Sequence, residues 1–598
     1  MKQFTTDVLV IGGGAGGIAA AISASRYGVK TILATEFSWL GGMLTSAGVS
    51  APDGNELASW HTGLWGAYLK ELQQRHTGGL DNGWVSLFTY HPGCGASIFA
   101  DWVAQIPNLI WIKNCLPRSV IKKNQLVTGV RFDDFFVEAQ ITIDATELGD
   151  VIALADIPFR WGWESFEEFN EPSLKTELDL ATLSKEYPVQ APTWVFLLQK
   201  SSRDKNQNNT ASAIDSVVNY SLFQDAWKDY GKEKFLNYGK LTNNLYMINW
   251  PIAGNDYGYN LDRLIRTESY RKEWLTEAYN HSYSFANYLL KELDRSYGLA
   301  DSIFPQQNNP LLPDINPAFA LHPYYRESRR LIGQTTITEQ NILPVDKGCV
   351  APLPTNEKGK INAIAVGNYA NDHHYPGFDF KLESKSIKWG GRWTGTPFTI
   401  PYDALVPLSI DGLLVAEKNI SVSHIANGST RLQPVVMNIG QAAGTAAALC
   451  IKHNCQPRDL AVREIQEALL IDKIAPAAVI PLFNLTLDHP RWLYWQRYYL
   501  DYPEAYPIDG NCPDKTHKIG SPTTLNNNYY SGIFYRHDYQ QYTIQIVEPL
   551  PIKNQTWELI TIYPQMNRQL LNLKTGSLIN VIAKKNNAGN WLIVEDIL

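Results

Sequence analysis

Three glycines near the start of the chain have the spacing that a phosphate-binding turn requires. Gly12, Gly14 and Gly17 follow the apolar run 7–11, which is typical of a buried parallel strand, and they open a small-residue segment that predicts a helix. A turn without side chains lets a pyrophosphate reach backbone N–H groups at the helix N-terminus. The apolar run 31–34 supplies a second strand, so the unit predicts a dinucleotide site, whereas an isolated glycine pattern would fit an ordinary turn.

An acidic residue should follow the second strand of such a unit, where its carboxylate accepts hydrogen bonds from ribose hydroxyls. Glu36 is the candidate. The usual register falls on Thr35, so two alternatives are open at this stage. Either Glu36 reaches the ribose from one position later, or the Thr35 hydroxyl takes its place.

A row of arginines could recognise a negatively charged substrate. Arg326, Arg329 and Arg330 have the spacing i, i+3, i+4, so in a helix they would share one face. A guanidinium group presents paired N–H donors that match a carboxylate. Arg431, in a second motif segment, is expected to assist Arg326. The alternative is a salt-bridged helix face that includes Glu327.

Histidines supply the candidates for proton transfer, because the imidazole ring titrates near neutral pH. His374 closes the run 372–374, and His424 precedes Arg431 by one loop. For each the alternative is a structural histidine whose ring nitrogens are satisfied by neighbouring groups. The adjacent pair 373–374 lacks the third ligand spacing that a metal site requires, so no metal is expected.

Composition and charge narrow the class of function. The 598 residues include 52 Lys and Arg against 59 Asp and Glu, a formal net charge of -7, so no nucleic-acid partner is expected. The six cysteines form no CxxC pair and are expected to be reduced. The N-terminal strand contains Asp7, and the apolar run 435–451 is interrupted by Asn438 and Gln441, so neither a signal peptide nor a membrane span is expected. We therefore expect a cytoplasmic protein.

Several further segments resemble a large family of FAD-dependent oxidoreductases with the glutathione-reductase type of FAD-binding fold. In chain order they are 41–46 (GGMLTS), 82–86 (NGWVS), 143–150 (IDATELGD), 325–330 (YRESRR), 400–401 (IP) and 414–444. The resemblance implies FAD as the cofactor. It places the FAD contacts at Gly12, Gly13, Gly14, Ala15, Gly17, Glu36, Gly41, Gly42, Met43, Val120, Ala145, Thr146, Glu417, Asn438, Ile439 and Gly440.

A helix opening near residues 438–440 would, by the same resemblance, point its N-terminus at the flavin ring. The partial positive charge of a helix N-terminus can stabilise a reduced flavin. A helix of small residues that only packs against its neighbours is the alternative. One departure from the family pattern is Glu417, which stands where similar proteins usually have Gly, so its carboxylate is expected near the ribityl chain or turned outward to solvent.

The predicted fold class is α/β. We expect a two-part Rossmann-like FAD-binding domain (1–160 and 346–514), an inserted α+β substrate or cap domain (161–345) and a small C-terminal β-domain (515–598). Short apolar runs between 109 and 145 predict a β-meander that returns to the first sheet. The insertion is rich in Trp and Tyr, with a polar loop at 204–209 and a long amphipathic helix around Phe285.

The expected function is hydride transfer between a polar, anionic small molecule and flavin N5. No GxSxG, HExxH or Walker lysine motif is present, so hydrolytic chemistry has no support in the sequence. Two rivals are open: an enzyme that uses FAD without net redox change, such as an isomerase or hydratase, and a scaffold that retains FAD without catalysis. The C-terminal β-domain has no counterpart in the family pattern and is a candidate surface for a protein partner.

Overall fold

The computed structural model describes residues 2–76, 79–175, 180–201, 220–306, 309, 311–346, 348–389, 392–514 and 529–598. Its α-helices are α1 (Ala15–Arg26), α2 (Gly63–Arg75), α3 (Pro92–Ala104), α4 (Asp150–Leu154), α5 (Phe166–Phe169), α6 (Leu180–Glu186), α7 (Gly231–Tyr238), α8 (Glu268–Glu292), α9 (His424–Thr430), α10 (Gln433–His453), α11 (Val462–Leu470), α12 (Trp492–Asp501) and α13 (Pro564–Asn572). The polar loop expected at 204–209 and the boundary expected at 515 lie outside the described residues.

The strands of the first two thirds of the chain are β1 (Lys2–Ile11), β2 (Thr31–Ala34), β3 (Leu109–Ile112), β4 (Ser119–Lys123), β5 (Leu126–Arg131), β6 (Phe135–Asp144), β7 (Phe159–Arg160), β8 (Phe196–Lys200), β9 (Leu245–Ile248), β10 (Tyr297–Leu299), β11 (Arg330–Leu331), β12 (Ala363–Asn368), β13 (Ser386–Trp389), β14 (Arg392–Gly395) and β15 (Pro397–Pro401). Those of the last third are β16 (Leu413–Val415), β17 (Tyr529–Asp538), β18 (Gln541–Glu548), β19 (Thr556–Ile560), β20 (Leu578–Asn586) and β21 (Trp591–Ile597).

The N-terminal sheet places the glycine turn at the carboxyl end of its central strand. Its order is β3-β2-β1-β6-β5-β4, with β16 beside β6. Strand β1 runs parallel to both β2 and β6. Val8, Leu9 and Val10 have no exposed surface, as expected for a parallel strand covered on both faces.

The sheet is completed from the far side of the insertion. Strand β16 is parallel to β6, with Leu413 opposite Thr142 and Val415 opposite Asp144. This pairing confirms the α/β class and the two-part nucleotide-binding domain. The expected four-strand meander is wrong in one respect, because β3 pairs in parallel with β2 at the opposite edge. Helices α2 and α3 lie between β2 and β3 in the chain and form the crossover that a parallel pair requires.

Helix α10 is the central helix of the core and runs alongside α1. A Cβ atom at Gly440 would overlap the carbonyl oxygen of Gly16, and one at Gly444 would overlap that of Ala20. The two helices are therefore parallel and their backbones are in close contact. Among the described residues, α10 alone has the length and hydropathy of a membrane span, with a mean hydropathy of 1.4 in a window that is 94% buried inside the protein.

The insertion packs around aromatic side chains. Its antiparallel sheet has the order β10-β8-β9, and Phe196 of β8 meets Phe285 of α8 with 6.2 Å between ring centroids. The end of the insertion returns to the first domain, where Leu321 N donates to Ser46 O at 2.8 Å.

The C-terminal strands form a small closed barrel in the order β17-β18-β19-β21-β20. Its own core includes Phe534 and Ile544, both fully buried. The barrel also touches the main body, because Asn586 Nδ2 donates to Asp81 Oδ1 at 2.6 Å and to Gly83 O at 2.9 Å. The predicted C-terminal β-domain is therefore confirmed.

Candidate active site

The glycine turn between β1 and α1 leaves no room for side chains. Gly12 has φ +111°, and a Cβ atom there would overlap the Ala145 carbonyl group. A Cβ atom at Gly17 would overlap the carbonyl oxygen of Gly12 and come 3.0 Å from Ala145 Cβ. The turn is therefore pressed against the end of β6, and Ala15 opens α1 as a fully buried residue.

A pocket with about 780 Å³ of empty space, including its open mouth, lies over this turn. That size is typical of a small-molecule or cofactor site. Of the predicted contacts, the wall contains Gly12, Gly13, Gly14, Glu36, Gly42, Ala145 and Thr146. The insertion closes the other side with Arg271, Leu275, Leu311, Leu312, His322 and Tyr325.

Glu36, rather than Thr35, is the group that can meet a ribose. Burial raises the pKa of Glu36 to about 7, and Asn309 Nδ2 donates to its Oε1 at 2.9 Å. The Thr35 hydroxyl is already engaged, since it donates to Phe37 O at 2.8 Å and accepts from Trp111 Nε1 at 2.9 Å. The first of the two sequence alternatives is therefore supported.

Asp144 at the end of β6 fixes the wall on the far side of the turn. Its Oδ1 accepts from Thr146 N (2.9 Å) and Thr146 Oγ1 (2.7 Å), and its Oδ2 accepts from Ile152 N (2.9 Å). Burial outweighs these hydrogen bonds and raises the pKa of Asp144 to about 6.

Three other predicted contacts lie behind the pocket wall. Val120 is on β4, and the nearby wall comes instead from Cys115, Leu116 and Pro117. Gly41 has φ +114° and supports the loop on which Met43 points into the core, 4% exposed.

The expected helix start at residues 438–440 is wrong. Helix α10 begins at Gln433, so Asn438, Ile439 and Gly440 lie in its second turn and are buried. Gly440 serves the close contact with α1, which was the packing alternative. Because α10 starts seven residues before Gly440, its N-terminus extends about 10 Å beyond the level of Gly16. The helix N-terminus in this region is therefore next to Arg431.

A buried carboxylate stands at the N-terminus of α1. Glu417 is fully buried, and its Oε1 accepts from Gly16 N at 2.8 Å. Its other oxygen lies 3.2 Å from Lys418 Nζ, and Lys418 also pairs with Glu147 at 2.7 Å. The expectation that Glu417 turns outward is wrong, because the helix N–H and Lys418 both attract its carboxylate. Two carboxylates thus share one lysine beside the glycine turn.

The arginine row does not form a helix face. Residues 326–329 are irregular and Arg330 enters β11, so the expected helix is wrong. Each arginine instead forms an ion pair with a different carboxylate: Arg326 with Asp256 (3.2 Å), Arg329 with Asp150 (2.9 Å) and Arg330 with Glu164 (2.7 Å). The salt-bridged alternative therefore applies to Arg329 and Arg330, although without the helix.

Arg326, His374 and Arg431 are nevertheless brought together by two aspartates, and we call these five residues the Asp256–Asp372 cluster. His374 Nδ1 lies 2.9 Å from Asp256 Oδ2, and its Nε2 lies 3.1 Å from Asp372 Oδ2. Arg431 Nη2 donates to Asp372 Oδ2 at 3.0 Å. The side chains of His374 and Asp372 are 15% and 39% exposed, against 2% or less for the other three, so the cluster opens at these two residues.

His374 lies between two carboxylates that stay ionised in the folded protein. Burial alone would raise the pKa of Asp256, but Arg326 and His374 outweigh it and lower that pKa to about 2. Burial is likewise outweighed at Asp372, where His374 and Arg431 hold the pKa well below its ordinary value. An ionised carboxylate only accepts hydrogen bonds. Each ring nitrogen of His374 therefore faces a carboxylate oxygen that can accept a hydrogen bond from it.

His424 lies in a second, fully buried chain of hydrogen bonds. Its Nε2 is 2.5 Å from the Tyr375 hydroxyl, and its Nδ1 is 2.9 Å from Glu327 Oε1. The Tyr375 hydroxyl also meets His373 Nδ1 at 2.7 Å. Both nitrogens of His424 are occupied by the protein, so any proton exchange between His424 and a substrate must pass through these neighbours.

One short segment links the pocket to the Asp256–Asp372 cluster. His322 and Tyr325 line the pocket, whereas Tyr324, between them, accepts a hydrogen bond from Arg431 Nη1 at 2.6 Å. Arg431 in turn lies two residues before the start of α10. The segment 322–325 thus contributes side chains to the pocket and to the cluster.

Several residues of this site were not predicted from the sequence. Asp372 stood beside His374, and Glu147 stood inside the 143–150 motif, so both carried a local signal. Asp256 lies 118 positions from His374 and carried none. Lys418 could have been inferred only from its neighbour Glu417.

The model of the FAD dependent oxidoreductase family matches residues 7–469. The chain belongs to this family. FAD is accordingly the cofactor, and the protein is an FAD-dependent oxidoreductase. A search of the curated proteins finds no significant match.

Three solved structures that the chain resembles are distant from it in sequence. A geranylgeranyl bacteriochlorophyll reductase-like protein from Thermoplasma acidophilum is 11% identical, with a TM-score of 0.33 over 78% of this chain and 84% of that one. Thioredoxin reductase from T. acidophilum is 19% identical, with a TM-score of 0.16 over 28% of this chain and 41% of that one. GidA from Aquifex aeolicus is 20% identical, with a TM-score of 0.18 over 24% of this chain, and the match spans only 25% of GidA.

The residues around the pocket fit the ADP end of FAD. A glycine turn without side chains lies beside a helix N-terminus, and the Glu36 carboxylate, in the pocket wall just after β2, is placed to meet a ribose. Gly13, Gly14 and Gly42 would border the diphosphate, with Ala145 and Thr146 on the opposite wall. The diphosphate would meet the N–H of Gly16 once the Glu417 carboxylate moves.

Proposed function

We propose that the protein transfers a hydride between a polar, anionic small molecule and N5 of FAD, with the substrate at the Asp256–Asp372 cluster. The observation that supports this site is the charge of the cluster. With His374 protonated, Arg326, His374 and Arg431 would carry three positive charges against the two carboxylates. One positive charge is left over, and the N-terminus of α10 adds to it.

Two buried donors remain for a substrate oxygen. Arg326 Nε and Arg431 Nε have no hydrogen-bond partner among the described residues. An unpaired buried donor is costly, so a ligand that accepts from it gains affinity. A carboxylate next to these groups would be held in a nearly dry environment, where charge-assisted hydrogen bonds are strong.

His374 is the group that we assign to proton transfer. When bound, FAD supplies or accepts the hydride. Reduction of a carbonyl to a hydroxyl also needs a proton on oxygen, and a protonated His374 would supply it at the open side of the cluster. In the direction of oxidation the ring takes the same proton back. Asp256 and Asp372 keep the ring oriented for both directions.

Anaerobic reduction of the FAD-loaded protein tests this function. A panel of hydroxy acids and amino acids is mixed with the protein, and loss of flavin absorbance is followed in a stopped-flow instrument. Each acid is paired with its methyl ester, which keeps the reacting carbon and removes the charge. We expect the acids to act at least tenfold better than the esters, and His374→Gln to slow reduction more than binding. Equal rates for acid and ester would refute the anionic substrate, and no reduction by any compound would count against the hydride transfer.

A further inference from the structure

We propose that Glu417 occupies the diphosphate position in the FAD-free protein, and that FAD binding moves this carboxyl group off Gly16 N–H with the uptake of one proton. The inference rests on the assignment of FAD to the pocket. The one bond formed is the O–H bond of the Glu417 carboxyl group, whose proton comes from solvent, and the neutral carboxyl can then donate to a phosphate oxygen.

The position of Glu417 is the first support. Its Oε1 holds the N–H of Gly16 in the first turn of α1, and a diphosphate in this fold uses the same end of the first helix. A Cβ atom at Gly14 would overlap the Glu417 carboxylate, so the carboxylate fills the space that the glycine turn leaves open. The carboxylate and a phosphate oxygen therefore compete for one place.

The charges that face Glu417 are the second support. Lys418 lies 3.2 Å from its Oε2, and Glu147 lies on the other side of Lys418 at 2.7 Å. His322 faces Glu147 from the insertion, and burial lowers the pKa of His322, so its ring adds no charge above neutral pH. The two carboxylates and one lysine sum to -1 before a doubly negative diphosphate arrives. Ionised Glu417 beside that diphosphate would face strong repulsion.

The pKa shifts of the two carboxyl groups agree with proton uptake by Glu417. Burial raises the pKa of Glu417 although Lys418 opposes it. At Glu147 burial acts the same way, but Lys418 and His322 together outweigh it and lower the pKa. Glu417 is therefore the carboxyl group of this pair that takes up a proton first.

Titration of the FAD-free protein with FAD between pH 7.5 and 9.5 tests the proposal. Binding is followed by flavin fluorescence and by calorimetry in two buffers with different heats of ionisation. If binding takes up one proton, the Kd rises tenfold per pH unit. The range lies above the pKa of Glu36, which is raised by burial to about 7. Loss of a proton from Glu36 would change the affinity in the opposite direction, because an ionised Glu36 accepts from the ribose.

Glu417→Gln should abolish the pH dependence and tighten binding at pH 9 at least tenfold. Glu417→Gly is the second variant, because it removes the side chain without leaving a polar group to bury. Glu138→Gln is the matched control, since Glu138 is exposed on β6 and the charge change is the same; it should behave as the wild type.

Wild-type binding without proton uptake would overturn the proposal, and so would Glu417→Gln with the wild-type pH dependence. In either case FAD still binds and the cofactor assignment stands. Absence of FAD binding in wild type and variants alike would overturn the proposal together with the proposed function.

Discussion

Replacing Lys418 by methionine should destabilise the protein strongly at pH 8 and much less at pH 5.5. Lys418 is 1% exposed and pairs with Glu147 and Glu417, which are 19% and 0% exposed. Removing one partner of a buried ion pair costs roughly 3–5 kcal/mol, because an uncompensated charge stays behind. Here two carboxylates are left without a cation, so we expect a loss of about 4 kcal/mol at pH 8.

The pH dependence has a definite sign. Without Lys418, burial raises the folded-state pKa of both carboxyl groups above the ordinary value of about 4.3 in the unfolded chain. A carboxyl group with a raised folded-state pKa binds a proton on folding, so the stability of the variant falls as the pH rises above that value. Each carboxyl can contribute up to about 1.4 kcal/mol per pH unit. In the wild type Lys418 and His322 together outweigh burial at Glu147 and lower its pKa, so acid gives no gain at this residue.

Urea unfolding followed by tryptophan fluorescence at the two pH values measures the effect. Lys358→Met is the control for loss of an exposed lysine, and the double variant Lys418→Met/Glu417→Gln should recover part of the stability at pH 8. The reasoning is refuted if Lys418→Met loses no more stability than Lys358→Met, or loses the same amount at both pH values.

Three further predictions concern the cofactor and the barrel. Gly12→Ala should purify without FAD, because its Cβ would overlap the Ala145 carbonyl group; FAD released by denaturation measures this, and wild-type content would contradict it. A chain ending at residue 514 should still bind FAD but melt at a lower temperature than the full chain, because Trp591 and Ile593 pack on the main core. Insoluble protein would show that the barrel is required for folding. The FAD-free protein should lose up to about 3 kcal/mol between pH 4.5 and 7, because burial raises the pKa of Glu36 to about 7 and the folded protein keeps a proton that the unfolded chain loses in this range. The same pH slope of stability in Glu36→Gln, measured by urea unfolding, would disprove it.

The sequence predicts the first βαβ unit well because its signals are local. An apolar run, glycines in a fixed spacing and a second apolar run occupy residues 7–34, and the chain has few other ways to arrange them. The barrel is predicted for a similar reason, since alternation and turn residues recur at short intervals.

The site beyond the glycine turn depends on pairs that are distant in the chain. The spacing of Arg326, Arg329 and Arg330 suggested a helix, but no apolar face accompanied it, and buried carboxylates from other elements decided the backbone path instead. Periodicity also predicted that α10 exists without locating its first residue. Nothing in the sequence connects Asp256 to His374, because packing alone brings them together.

The contact between Gly16 and Gly440 has a mechanical consequence. Where two helix backbones touch directly, no flexible side chains lie between them to absorb a displacement. Any shift of α1 on FAD binding should therefore carry α10 with it, and α10 begins two residues after Arg431. The substrate cluster would then report whether the cofactor is in place, so an enzyme without FAD should bind its substrate poorly even though no substrate group touches the glycine turn.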